Sequence, residues 1–379
     1  MSQINVRNLS NENEDRSPDI VGVSTFSATS YFVPPVGNTA QRPENPQLGD
    51  LRFNTDTASL EYYRGDGTRT WTQIEMTSPD LDGGARGLYM GGTSGGNINT
   101  IEYFTISTLG NTADFGDLTL ARSSVTSFSS RTRGVCAGGY TTVVRREIDF
   151  VTISSTGNAQ DFGDLLNDSH QYAPTGTGDQ TRGLVAGGLK LPAPYTDTNR
   201  IQYNTIATTG DSVDFGDLTE ARTDFSSFNS STRSVFCGGY TGPGGGAGTN
   251  IIDYVTTQTL GNAADFGDLL AVGGVPNDSG CSNSTRGLIC GSRSPSGINN
   301  IEYVTIASLG NATDFGDMLW TGGYGCATAG GTRGIIVRGS GGNSISYVNI
   351  LSTGNAVDFG DQTTTATYKT ACSNAHGGL

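Results

Sequence analysis

Two carboxylates flank a phenylalanine and a glycine in Asp314-Phe315-Gly316-Asp317, inside the stretch Gly310–Leu319. An Asp-Phe-Gly tripeptide can hold magnesium against nucleotide phosphates and so serve phosphoryl transfer. That chemistry needs companions: a lysine on an early strand, a His-Arg-Asp loop and a phosphate-binding glycine loop. None is present. The four residues instead recur six times, beginning at Asp114, Asp161, Asp214, Asp265, Asp314 and Asp358, spaced by 47, 53, 51, 49 and 44 residues. A catalytic centre is assembled once, whereas a packing solution is needed in every repeat. The motif therefore reads as architecture.

Other chemistry is sparse. Only two histidines exist, His170 and His376, and both are expected in surface or turn positions. No Ser-His-Asp or paired-acid arrangement can be assigned. The six cysteines include no Cys-x-x-Cys pair, which excludes the usual structural zinc pattern, and they are expected as buried free thiols. Paired motif aspartates leave a calcium reading open, although no spaced oxygen-ligand loop is visible. No metal or cofactor is expected, and no enzymatic activity.

Composition supports a turn-rich β protein. Of 379 residues, 34% are hydrophobic and 56 are glycine, about twice the usual share of ~7%. The net charge is -14, with Lys190 and Lys369 the only lysines. An acidic chain without a basic cluster argues against nucleic-acid binding. No run approaches ~20 apolar residues, so no membrane insertion is expected, and the first twenty residues do not read as a secretion signal.

Each repeat implies four strands that position the motif. The first is an apolar run ended by glycines, as in "TRGVCAGGY" from Thr132, expected to be covered on both faces. A variable loop follows, then a strand such as "NTIEYFTIS", with Ile101, Tyr103 and Thr105 opposite Glu102, Phe104 and Ile106. A Gly-Asn pair suggests a tight primed hairpin turn. The motif strand comes next, then a serine-rich strand such as "SSVTSFSSR".

Within the motif strand, Phe115, Phe162, Phe215, Phe266, Phe315 and Phe359 are expected to fill the interface between neighbouring repeats. Asp117, Asp164, Asp217, Asp268, Asp317 and Asp361 read as turn or ladder acceptors. The arginines Arg86, Arg133, Arg182, Arg233, Arg286 and Arg333 are expected to pair with motif carboxylates.

This order of strands resembles kelch-type propellers, with Phe standing in place of their later Trp. The resemblance covers about residues 81–379. It implies an all-β, six-bladed kelch-like β-propeller. "TYKTACSNAHGGL" matches the sequence around Cys281 and offers the strand that the first repeat lacks. The C-terminal strand is therefore expected to close the ring.

The loops after the glycine pairs vary most, from nine residues in the first two repeats to thirteen in Leu189–Ile201 and six in the last. Variable loops on a rigid repeat scaffold are where binding concentrates. The candidate binding residues are Arg145, Lys190, Tyr195, Asp197, Tyr240 and Arg293.

Residues 1–80 contain no repeat. Residues 1–40 read as an extended attachment segment, with Pro34 and Pro35 opposing helix. Residues 41–80 read as a small β module of three strands, with turns at "NTDTAS" and "RGDGTR". The strings "GVSTFSATSY" and "GNTAQRPENPQLGDLRFNTDTASLEYYRGDGTRTWTQI" resemble the N-terminal part of virion proteins of tailed bacteriophages, especially of marine cyanobacterial phages. The resemblance implies a structural part of a tail fibre or other appendage, on the virion exterior. Its implied partners are other virion proteins and a host surface glycan or protein receptor. A homo-oligomer is expected, a trimer first by analogy. A carbohydrate-binding or carbohydrate-cleaving propeller protein is the alternative, and a bacterial kelch-type scaffold protein a third class.

Overall fold

Every motif strand is the outermost of four. The computed structural model describes residues 34–56, 59–64, 71–73, 85–166, 172–190, 196–242, 246–270, 279–292, 298–321 and 325–379. The chain divides into two compact units, Met1–Pro79 and Asp80–Leu379.

In the second unit the described residues form six four-stranded antiparallel sheets. In sheet I, Ala113–Asp117 pairs with Thr100–Thr105, and that strand pairs with Arg86–Met90. The remaining strand of sheet I comes from far along the chain. Thr370–Ser373 pairs with Arg86–Met90, placing Cys372 opposite Leu88. Sheets II (126–164), III (175–217), IV (226–268), V (280–317) and VI (326–361) each run through their strands in chain order.

The apolar strands behave as their composition dictates. Leu88, Val135, Leu184, Val235, Leu288 and Ile335 are all fully buried. Each core bridges two sheets. Leu88, Ile101 and Phe115 of sheet I meet Cys136, Val151 and Ile153 of sheet II. The pattern repeats through sheets II to VI, and Tyr89 and Phe104 of sheet I then meet Ile335, Val337 and Phe359 of sheet VI. The six motif phenylalanines all lie in these interfaces. Burying each contributes about 2–3 kcal/mol.

The motif makes a β-bulge. Ile101 sits opposite Gly116 and Glu102 opposite Asp114, so Phe115 is the extra residue that the bulge turns inward. Gly116 has φ +147°, and a Cβ there would overlap the Gly157 carbonyl of the next sheet. The same register shift recurs in the other five sheets.

The expected primed hairpin turn is not formed. Residues 106–112 connect the strands of sheet I, and Gly110 is held at φ +150°. The Gly-Asn pair serves the neighbouring sheet instead. Gly157 N donates to Phe115 O at 2.8 Å, and Asn158 Oδ1 accepts from Asp117 N at 3.1 Å. The outer edge of each sheet, which would otherwise present bare amides and carbonyls, is thereby covered. On sheet VI, Gly110 and Asn111 cover the edge at Phe359 and Asp361.

The arginine series also corrects its expectation. Arg86 pairs across to Thr105, whereas Asp117 lies two strands over and pairs with Thr100 at the opposite end. No ion pair joins any of the six arginines to a motif aspartate among the described residues. Each guanidinium lies over the aromatic ring of the strand between its own and the motif strand, Arg86 Cζ 4.6 Å from the Tyr103 centroid. Each also donates to a carbonyl of the next sheet: Arg86 to Ile153, Arg133 to Ile206, Arg182 to Thr257, Arg233 to Ile306, Arg286 to Ile350. Arg333 of sheet VI reaches Ile106 of sheet I. The second motif aspartates act mainly through their backbone amides. Ion pairs reach only Asp164, from Arg146 at 3.2 Å, and Asp214, from Arg200 at 3.6 Å, among the described motif carboxylates.

The first unit holds a sheet of Val36–Gly37, Leu51–Asn54, Ser59–Tyr63 and Trp71–Gln73. The last three are the expected strands. Val36–Gly37 adds a parallel strand within the segment read as extended. Glu61 is fully buried and is the hub: Arg42 Nη2 reaches it at 2.6 Å, Arg52 Nη1 at 3.6 Å and Asn54 Nδ2 at 3.1 Å. The Arg42 hydrogen bond, above all, holds this carboxyl below its usual range.

Candidate functional site

Three layers of the second unit hold polar groups that could act on a ligand. The innermost is built by the strand of each sheet farthest from the motif strand, the serine-rich strands such as Thr126–Ser129 and their equivalents. They lie side by side, with Thr370–Ser373 between Cys326–Ala329 and Thr126–Ser129. Apart from Phe128, Phe228 and Asn229, which are larger, their side chains are small where the strands come together. A Cβ on Gly280 would overlap the Ser227 carbonyl. Hydroxyls link the strands: Ser127 Oγ to Thr370 Oγ1 at 2.5 Å, Ser129 Oγ to Ser373 O at 2.7 Å, Thr175 Oγ1 to Ser227 Oγ at 2.9 Å. A cavity of about 50 Å³ remains among them. That volume suits water rather than a substrate.

One residue beyond the last strand, His376, lines this cavity. Expected in a surface or turn position, it lies in the bend after the last strand and is half-buried there. Its Nε2 donates to Ser129 O at 2.8 Å, and its Nδ1 accepts from Asn229 Nδ2 and from Gly378 N, both at 3.2 Å. Two donors aimed at Nδ1 fix the neutral tautomer. Burial pushes its pKa down to about 4. His170 lies outside the described residues.

The middle layer escaped sequence reasoning. The residue after the strand-opening isoleucine is Glu102, Asp149, Gln202, Asp253, Glu302 or Ser346, and each is buried. The signal was legible as a polar acceptor at one fixed position of every repeat. Asp149 meets Arg122 at 3.1 Å, and Asp253 meets Arg222 at 2.9 Å, with all four side chains essentially inaccessible. Asp149 and Asp253 also accept from Thr119 and Thr219, which follow the motif of the preceding sheet. Glu102 accepts from Tyr89, Thr112 and the Thr363 amide. Burial raises its pKa, but hydrogen bonds from Thr112 and Tyr89 outweigh that and hold it below the usual range. Burial lowers nearby Lys369 to about 8. Glu102, Asp149 and Asp253 have the partners of structural groups, not of acids facing a substrate.

The outermost layer is the loop face. Leu189–Lys190 pairs with Thr196–Asp197, and Tyr240–Thr241 with Ala247–Gly248, so the two longest loops are small hairpins. Asp197 joins them, its Oδ2 accepting from Gly242 N at 2.6 Å, and burial raises its carboxyl. Tyr240 is buried at the base of its hairpin, which removes it as a contact residue. Arg145 is spent on its own loop, on Thr141 Oγ1 at 3.0 Å and Glu147 at 3.5 Å. Lys190 is half-exposed. Tyr195, Arg293, the turn at "RGDGTR" beyond Arg64 and residues 1–33 lie outside the described residues.

Among the described residues no group of three or more His, Cys, Asp or Glu is placed to hold a metal ion, and no helix is long and apolar enough to cross a membrane. All six cysteines are free and buried. Neither a family model nor a curated protein matches this chain.

Proposed function

We propose that Asp80–Leu379 closes as a six-bladed, kelch-like β-propeller, with the C-terminal strand as its clasp, and that the protein is a structural component of a phage virion. The observation that carries the architecture is the series of arginine-to-carbonyl bonds that runs from each sheet to the next and returns from Arg333 to Ile106. The virion role is supported by the phage-like strings of the first eighty residues and by the separate compact unit in which they lie. In this reading the N-terminal unit attaches to a tail fibre, neck or other appendage. The propeller is displayed outward, and its loop face binds a host-surface or virion partner without chemistry. Several copies, three in the first instance, give avidity through multivalency.

Gold-labelled antibody against residues 80–379, applied to intact particles, tests the role. Label at a discrete appendage supports it, and particles free of the protein overturn it. The propeller is tested by an experimental density map of the isolated unit, in which six sheets around one axis are expected.

A carbohydrate-binding protein is the second reading. It is favoured by a half-exposed aromatic–arginine pair on the loop face, Trp320 and Arg338.

A further inference from the structure

Two departures from the repeat meet in space. Five sheets place a glycine at positive φ where the loop begins: Gly91, Gly138, Gly187, Gly238 and Gly291. In sheet VI that position is Arg338. The third residue after the motif is Leu120, Asn167, Glu220, Ala271 or Thr364 in other repeats, but Trp320 in sheet V. Arg338 Cζ lies 5.6 Å from the Trp320 ring centroid. Trp320 packs one side against the core between sheets V and VI, and Arg338 lies over its ring.

The loop of sheet VI is the shortest of the six, and both residues are half-exposed. Arg338 curls back over its own loop. Its Nε donates to Ser340 O at 3.0 Å. Its Nη2 and Nη1 lie over Gly341 and Gly342, 3.1 and 3.0 Å from where a Cβ would stand. Glycine is what lets the guanidinium lie flat. Among the described residues, Nη1 and Nη2 have no acceptor, and neither do the amides of Ser340, Gly341 and Gly342. Gln362 braces the loop from beneath, donating to Arg338 O at 2.8 Å.

A planar fork of free N–H donors, flanked by exposed amides, matches a carboxylate. An indole beside it offers an apolar plane to a sugar ring. The protein is acidic overall, so an isolated guanidinium with open donors stands out on its surface. We propose that Trp320, Arg338 and the loop Gly339–Asn343 form a binding site for the hexuronate unit of an acidic polysaccharide. A neutral glycan would leave the guanidinium unanswered, and an acidic peptide would leave the indole plane without its ring. This deepens the binding reading above and rests on it. It is independent of the virion assignment, so a failed titration leaves the labelling result untouched and the reverse also holds.

The chain has two tryptophans. In Trp71→Phe, indole fluorescence therefore reports Trp320 alone. Titration with trigalacturonate is expected to quench it saturably, with neutral galactotriose at least tenfold weaker. Arg338→Ala is expected to weaken binding at least tenfold. Gly342→Ala, which crowds Nη1 without touching the indole, should weaken it several-fold at an unchanged melting temperature. Absence of saturation, an equal response to the neutral sugar, tighter binding of pentaglutamate, or an unaltered response in both variants with their fold retained overturns the site.

Discussion

Arg333 Nη1 donates to the Ile106 carbonyl at 3.1 Å, across 227 positions of sequence, and so joins sheet VI to sheet I. The same guanidinium lies 4.8 Å from the Tyr347 ring centroid. Arg333→Ala removes both contacts and a second hydrogen bond, to Ser107 O at 2.9 Å. A hydrogen bond from a charged group is worth about 1.5–3 kcal/mol, and partial exposure places the loss at the lower end. Urea unfolding should show a drop of about 1–2 kcal/mol, with Arg333→Lys intermediate. An unchanged midpoint for the alanine variant refutes the contact's role.

Removing the residues after Asp361 deletes the strand Thr370–Ser373 and bares one edge of Arg86–Met90. A large loss of thermal stability, or insolubility, is expected. Removing only the residues after Asn374 keeps the strand and strips His376 from Ser129 and Asn229. A smaller loss is expected there. Melting points that leave both truncations equal to the full chain rule out the C-terminal clasp.

His376 links stability to pH. Its folded pKa, about 4, lies below the unfolded value of about 6.5. Between those values the unfolded chain takes a proton that the folded one refuses, so stability falls as pH drops through that window. Full expression would cost on the order of 3 kcal/mol. His376→Gln should remove this part of the pH dependence. Denaturant midpoints of both proteins at pH 7 and pH 5 measure it, and parallel losses in the two contradict the assignment.

Arg222 and Asp253 are both buried, so breaking the pair strands a charge. Arg222→Met should cost about 3–5 kcal/mol, whereas Arg222→Met with Asp253→Leu should recover much of it. Equal stability of the single and double variants in urea titration would show that the carboxylate is not stranded.

Gly116→Ala meets the Gly157 carbonyl and an unfavourable φ together, whereas Gly110→Ala meets only the φ, with nothing within 4 Å. The first variant should melt markedly lower than the second. Closely matched melting points would argue against the tight approach of neighbouring sheets.

The four-stranded repeat was legible because apolar runs, glycine pairs and the motif recur at fixed offsets. The inward motif phenylalanines and the strand Thr370–Ser373 were legible for the same reason. The partner of Arg86 was not, because Ile153 accepts through its carbonyl and every residue owns one. The Gly-Asn pair looked like a local turn because its contact, the edge at Phe115, lies in another repeat. The partners of His376 were not legible because they come from sheets II and IV, far away in sequence. Asp149 and Asp253 could have been found from their fixed position. Trp320 and Arg338 required the opposite habit, attention to where a repeat breaks its own rule.

Thr370–Ser373 also sets a timetable. During synthesis the first sheet emerges early, yet its strand Arg86–Met90 waits for a partner made almost three hundred residues later. Sheets II to VI can each assemble from their own strands as they emerge. The first stays three-stranded, with one open edge, until Ser373 has left the ribosome. Until then the nascent chain can mispair with another copy through that edge, so protection during translation is a demand written into where the last strand is encoded.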